Sequence, residues 1–228
     1  MSCRIDAILF DLDGTLVATM EPWDRCWADY TARHGHIWTD IDRQHTHGRG
    51  DWARHVAQVC GVSVEQVSAE CTDLMIREVR AGRTALLPGV ERLLSIAVGA
   101  AATGLVSASP GRFVHATLAR FDLHRHFRIV VTGEDRTAVK PDPAPYLYTA
   151  AQLGVEPKHC VAVEDSIAGI RSAYTAGMRV LAIPSWASVS RPVELDLADH
   201  HAVDAVAAYD WLHSALAASA AESAPLTR

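Results

Sequence analysis

The chain has 228 residues, enough for one well-cored domain with room for an insert. Hydrophobic residues make up 49% and charged residues 21%, the balance of a soluble globular protein and not of a disordered or fibrous one. A formal net charge of −6, with no cluster of Lys or Arg, argues against a nucleic-acid partner and an anionic membrane surface, and no apolar run reaches the length of a membrane span. Cys3, Cys26, Cys60, Cys71 and Cys160 are an odd number without a C-x-x-C pair, which suits reduced thiols. Met1 to Asp6 lead straight into a strand pattern, so no leader is expected and the cytoplasm is the expected compartment.

In chain order, an apolar run from Ile5 through Ile8, Leu9 and Phe10 reads as a buried strand. It ends in Asp11-Leu12-Asp13-Gly14-Thr15, and carboxylates are tolerated there only where the strand emerges into a polar crevice. Asp11 and Asp13, two apart, point to the same side, and Gly14 permits a tight exit. From Met20 to about Arg83 the pattern is helical. One helix runs through Trp23, Trp27 and Tyr30 to His34-Gly35, with Pro22 in its first turn. A second covers residues 51–59 and stops at Gly61. A third covers residues 64–80, with Ser63 and Gln66 spaced as a capping box.

After Leu87-Pro88-Gly89 strands and helices alternate. Helices are expected over residues 90–98, 111–121, 143–153, 167–176 and 204–217. Strands are expected over residues 103–106, 129–132, 160–163 and 180–183, with a short edge strand near 201–203. Residues 218–228 read as a frayed tail. Such alternation implies an α/β fold, a doubly wound parallel (Rossmann-like) sheet, with an all-helical insert after its first strand. The expected division is a core of residues 1–17 and 86–228 and a helical cap of residues 18–85.

The polar clusters follow this pattern. Asp11 and Asp13 follow the first strand, Ser107 and Ser109 the second, and Glu164 and Asp165 the fourth; Lys140, one of only two lysines, precedes the helix near Pro143. All fall at the carboxyl ends of strands or just beyond, where an open α/β sheet gathers its ligand crevice. Three carboxylates there repel one another unless a hard divalent cation, most simply Mg²⁺, is held through oxygen. A hydroxyl, a lysine and helix N-termini supply a phosphate cradle. Taken singly, the serines read equally as helix caps, Lys140 as a solvated lysine and Glu164-Asp165 as an acidic turn.

In this order the motifs resemble the haloacid dehalogenase superfamily, in the branch with a helical cap that holds small-molecule phosphatases and β-phosphoglucomutases. Asp11-Leu12-Asp13-Gly14-Thr15 resembles the first motif, Ser107 the second, Lys140 before Pro141-Asp142-Pro143 the third, and Glu164-Asp165-Ser166 the fourth. The resemblance implies that Asp11 is the nucleophile and forms an aspartyl phosphate, and that Asp13 is the general acid and then the base. Asp13 must therefore hold its proton, which calls for a raised pKa. Mg²⁺ would be held by Asp11, the Asp13 carbonyl and Asp165, with Glu164 behind them. Phosphoryl oxygens would be held by Ser107, the Ala108 amide and Lys140.

The implied activity is hydrolysis of a small phosphomonoester, a sugar phosphate or similar metabolite. The alternatives are a β-phosphoglucomutase-like mutase and a non-catalytic module that binds phosphorylated metabolites; intact Asp11 and Asp13 speak against the latter. A dehalogenase has no use for the second aspartate, and the family's phosphonate hydrolases need a cap lysine that residues 20–83 lack. The mutases resembled carry a cap lysine and an arginine near a glycine-containing loop. Here only Arg49, in His47-Gly48-Arg49-Gly50-Asp51, fits such a part.

Within the cap, Trp23, Trp27, Trp38 and Trp52 are expected as core, with Trp23, Arg49 and Ser109 as further substrate contacts. His34, His36, His45, His47 and His55 fit no standard metal spacing and are expected on the surface or in packing. Ala18-Thr19 replaces the acidic residue or asparagine that the family usually places before Ser or Thr, a departure that bears on hydrogen bonding in the cap loop. The expected partner is a small phosphorylated metabolite, and the expected state a monomer or a dimer.

Overall fold

A computed structural model describes residues 4–135, 138–184 and 193–223. Cys3 and residues 224–228 of the expected tail lie outside the described residues. Six strands, β1 (Ala7–Phe10), β2 (Ala102–Val106), β3 (Ile129–Val131), β4 (Cys160–Glu164), β5 (Arg179–Ala182) and β6 (His200–His201), form one parallel sheet in the order β3-β2-β1-β4-β5-β6. The apolar run at the start of the chain is thus the central strand. Phe10 stands opposite Leu105 of β2 on one side and Val163 of β4 on the other.

Alternation along β1 feeds two cores. Ile8 and Phe10 join the face covered by α5 (Val90–Ala100), α6 (Gly111–Arg120) and α9 (Ala205–Ser223). Ala7 and Leu9 join the face covered by α7 (Ala144–Leu153) and α8 (Ile167–Thr175). Ile8, Phe10, Ala7 and Leu9 are all fully buried, which is why this strand carries no polar residue before Asp11.

Between β1 and α5 stand four helices, α1 (Met20–Ala32), α2 (Asp40–Thr46), α3 (Trp52–Cys60) and α4 (Val64–Arg80). The chain leaves and re-enters the sheet side by side. Val17 bridges Leu86 antiparallel, the Ala18 amide donates to the Ala85 carbonyl at 2.9 Å, and the Leu87 amide to the Leu16 carbonyl at 3.0 Å. Helix α4 then packs on α6, bringing the insert over the carboxyl end of the sheet.

Three expectations need correction. Helix α2 lies between the first two helices expected from sequence, in a stretch where none was placed. Its signal was Thr39 with Asp42, a reciprocal capping box closed by an aspartate instead of the usual Glu or Gln. At α4 only half of the expected box forms. The Ser63 hydroxyl accepts from the Gln66 amide at 3.1 Å, while the Gln66 side chain donates to Glu70. The expected frayed tail is helical as far as Ser223, and the Ser219 hydroxyl is buried because it accepts the Ile5 amide at 2.8 Å. Ala218, Ala220 and Ala221 stay exposed, so the helix continues through them on alanine's own propensity, with Ser219 as its one buried side chain among residues 218–222. No described helix is long and apolar enough to cross a membrane.

Asp42, 3% exposed, anchors α2. It accepts from the Thr39 amide at 2.8 Å and hydroxyl at 2.6 Å, and bonds the rings of His55 at 2.8 Å and His36 at 3.1 Å. Burial alone would raise its pKa, but Thr39, His55 and His36 outweigh that and hold the carboxyl well below its usual range. A depressed folded pKa gives stability that is present above the unfolded value of ~3.9 and lost as pH falls through the folded one. Asp42→Asn is expected to lower stability at neutral pH by about 1–3 kcal/mol in urea denaturation. The gap to wild type should narrow below about pH 4.

Candidate active site

Beyond Phe10 the chain stays tied to β4, the Asp11 amide donating to the Val163 carbonyl at 3.0 Å. Because β2 and β4 flank β1, Val106 and Glu164 emerge beside Asp11. Lys140 reaches them from the loop before α7 and is 1% exposed. Its Nζ donates to Asp11 Oδ1 at 2.7 Å, to the Val106 carbonyl at 2.7 Å and to Glu164 Oε1 at 2.5 Å. An ammonium has three protons, and all three are committed. Burial disfavours the charge, but Asp11 and Glu164 outweigh it and raise the lysine pKa. Lys140 is therefore not a solvated surface lysine.

Glu164 is fully buried. Its Oε1 also accepts from the Tyr146 phenol at 2.7 Å, and its Oε2 accepts from the Ser166 amide at 3.3 Å and hydroxyl at 3.1 Å. Burial and the Glu164 charge raise the Tyr146 pKa, so the phenol remains a donor. Gly169, in the first turn of α8, lies against this carboxylate so closely that a Cβ would fall inside it. At Gly14 a Cβ would likewise collide with the Asp165 carboxylate. Tyr146 and Gly169 were not singled out from sequence.

Asp11, Glu164 and Asp165 bring carboxylate oxygens within 4.8 Å of one another, all buried. Among the described residues no other group of three His, Cys, Asp or Glu side chains is so placed, and none of the cap histidines joins one. Burial, opposed by Lys140, pushes the Asp11 carboxyl up to about 8. Burial thus disfavours the charged form of Asp11, and Lys140 is the cation that opposes it. Hard, buried oxygen donors around a single lysine carry excess negative charge, and that donor set fits a divalent cation.

Asp13 stands slightly apart, with its own donors. Its Oδ1 accepts from the Thr19 hydroxyl at 2.5 Å and the Trp23 indole at 3.2 Å, and its Oδ2 from the Ser109 hydroxyl at 2.7 Å. Burial raises its pKa against these three donors, so the expected rise is present and desolvation is its cause. Thr19 thus makes a bond to the first motif despite the departure at Ala18. Neither serine caps α6, whose N-cap residue Pro110 has no side-chain bond. The Ser107 hydroxyl accepts from the Ser109 amide at 3.1 Å.

These groups floor a cavity of about 30 Å³, roofed by the insert. Asp11, Asp13, Asp165, Ala108 and Ser109 line it below, and Met20, Trp23, Trp27, Thr46, Gly48, Arg49 and Trp52 line it above. Ser107 and Lys140 are buried behind that surface. The three expected substrate contacts, Trp23, Arg49 and Ser109, all reach the cavity. Trp23, Trp27 and Trp52 are core and wall at once, their ring centroids 5.3–5.5 Å apart, whereas Trp38 only backs Trp27. Arg49 is turned onto Asp51, with bonds of 3.0 and 3.1 Å. Its loop sits directly on the core: a Cβ at Gly48 would strike Ser166, and one at Gly50 would lie 2.7 Å from Val139. A wider groove of about 570 Å³ between α4 and α6 holds none of the site residues.

Buried carboxylates gathered around one lysine thus sit at the carboxyl-end edge of a parallel sheet, where an open α/β fold places its ligand crevice. Residues 5–177 match the model of the haloacid dehalogenase-like hydrolases, and the chain belongs to that family. It is 33% identical to hexitol phosphatase B of Escherichia coli (strain K12) over 199 residues, 80% of this chain and 85% of that protein. Identity to hexitol phosphatase A of the same organism is 32%, over 86% of this chain and 91% of that one. The crystal structure of CbbY from Rhodobacter sphaeroides in complex with phosphate superposes with a TM-score of 0.75 at 26% identity, covering 88% of this chain and 95% of that one. On its family and these phosphatase relatives we class the chain as a phosphoric monoester hydrolase.

Gly169→Ala is expected to push Glu164 off Lys140 and to cost about 1–3 kcal/mol in chemical denaturation, with loss of activity. Gly99→Ala, in α5 with open space around it, should be neutral or stabilising by up to about 1 kcal/mol and marks the difference between a helix glycine and a contact glycine.

Proposed function

We propose that the chain is a Mg²⁺-dependent phosphatase that hydrolyses a sugar phosphate or similar small phosphomonoester through an aspartyl phosphate on Asp11. The observation that carries this reading is the pairing of Asp11 with a fully committed Lys140, next to a second aspartate, Asp13, whose pKa is raised. The relatives named for hexitol phosphates support a polyol or sugar phosphate.

In this reading an Asp11 oxygen attacks phosphorus, the bond to the leaving oxygen breaks, and the Asp13 proton passes to that oxygen. Asp13 then takes a proton from the water that attacks the aspartyl phosphate, freeing inorganic phosphate and restoring Asp11. Ser107, the Ala108 amide and Lys140 hold the phosphoryl oxygens. For Lys140 this means exchanging one of its present bonds for a phosphoryl oxygen. Asp11, the Asp13 carbonyl and Asp165 would hold Mg²⁺, which supplies neutralisation of the phosphoryl charge. Glu164, its oxygens already filled by Lys140, Tyr146 and Ser166, stands behind them. Residues 18–85 form the cap over a core of 1–17 and 86–228, with the boundary where Val17 pairs with Leu86. A cytoplasmic location is supported by Cys26, Cys60, Cys71 and Cys160, all unpaired thiols.

Hydrolysis is favoured over the mutase alternative by Arg49. A mutase must hold a second phosphate in its cap, and here the cap's loop arginine is neutralised by Asp51 in a chain with no cap lysine. Wild type should release inorganic phosphate from β-glucose 1-phosphate, given a trace of the bisphosphate, faster than it forms glucose 6-phosphate. Asp11→Asn should retain less than about a hundredth of the phosphate release while circular dichroism stays unchanged.

Exhaustive treatment with EDTA should abolish activity, and added Mg²⁺ should restore it. Asp165→Ala is expected to raise the Mg²⁺ concentration needed for half-activation more than Glu164→Ala does, while activity that survives chelation would count against the cation.

A further inference from the structure

We propose that Trp23 is a positioning residue that assigns the transferable proton of Asp13 to Oδ2, the oxygen facing Ser109. This rests on the reading of Asp13 as the general acid. Two donors converge on Asp13 Oδ1, the Thr19 hydroxyl at 2.5 Å and the Trp23 indole N–H at 3.2 Å. Oδ2 instead faces the Ser109 hydroxyl at 2.7 Å. A hydroxyl turns to donate or accept, but an indole N–H only donates. An oxygen fixed in front of an indole N–H is thereby held as an acceptor, and the acid's proton goes to the other oxygen. There Ser109 rotates to accept it, and Ser109 lines the cavity in which the leaving oxygen must sit.

The indole cannot turn away. Trp23 is 2% exposed, with Trp27, Trp52 and Phe113 ring centroids at 5.3, 5.3 and 5.1 Å from its own. Phe113 belongs to α6 of the sheet domain and the two tryptophans to the helical insert, so the indole is clamped from both sides. In the step served, Asp11 oxygen bonds to phosphorus, the bond from phosphorus to the leaving oxygen breaks, and the Oδ2 proton moves to that oxygen. Help from an acid matters for an alkyl leaving group and little for a p-nitrophenolate, which departs unprotonated.

Trp27 provides a matched control. It sits in the same aromatic cluster, but its indole nitrogen has no hydrogen-bond partner. The experiment measures kcat/KM, which reports the phosphorylation half-reaction, for p-nitrophenyl phosphate and for the best alkyl phosphate from a sugar and polyol phosphate panel. Trp23→Phe keeps an aromatic ring, though a smaller one, and removes the donor. It should lower kcat/KM for the alkyl phosphate by about ten- to a hundredfold, and by about threefold or less for the aryl ester. Trp27→Phe should change both by a similar factor. Equal losses on both esters in Trp23→Phe, or the same skew in Trp27→Phe, would overturn the proposal. Wild type that hydrolyses neither ester would instead overturn the hydrolase reading beneath it. Independently of how the tryptophan variants fold, the indole N–H resonance of Trp23 should move more than that of Trp27 in the spectrum of Asp13→Ala; an unmoved Trp23 resonance also overturns it.

Discussion

One ammonium group ties the catalytic edge of this molecule together. Each proton of Lys140 goes to a different strand end: to Asp11 just beyond β1, to the Val106 carbonyl of β2 and to Glu164 of β4. Four carboxylates, those of Asp11, Asp13, Glu164 and Asp165, meet in this buried region with a single lysine among them. A charge so placed is tolerable only while its partners are present, since an uncompensated buried ion is far costlier than an exposed one. The rest of the edge follows from that condition. Tyr146 and Ser166 complete Glu164, Gly169 makes room for it, and Gly14 makes room for Asp165.

The helical insert is joined to this edge through Asp13. Asp13 belongs to the sheet, but two of its three donors, Thr19 and Trp23, come from the start of α1, and the third, Ser109, from the loop after β2. A residue whose surroundings are built from both sides has its full environment only when the two parts are together. The loop carrying Gly48 and Gly50 repeats this on the opposite rim, resting on Ser166 and Val139.

The fold was legible because burial on both faces leaves a plain signature. Runs such as Ile8-Leu9-Phe10 and Cys160-Val161-Ala162-Val163 have no polar alternation, and the glycine stops after α3 and α7 are local. That Asp11, Asp13, Lys140, Glu164 and Asp165 gather at one edge was legible from their order along the chain, since strand ends that are distant in sequence must converge. Tyr146 and Gly169 were not, because each acts through a contact across the fold: a phenol on a helix facing back to β4, and a missing side chain. Helix α2 escaped because its cap is closed by Asp42, whose further partners His36 and His55 lie outside the helix. The tryptophans were read as either core or substrate wall, whereas Trp23, Trp27 and Trp52 line a cavity too small for that distinction to hold.

That cavity, about 30 Å³, has room for about two water molecules. A sugar phosphate is larger than this space, so seating one over Asp11 requires the side chains or helices above it to shift. Where the helices have to lift to admit a ligand, the frequency of that lifting sets an upper limit on throughput whatever the speed of the chemistry. The same shuttering makes length a criterion of selection. A compound whose far end props the helices apart would leave Thr19 and Trp23 away from Asp13.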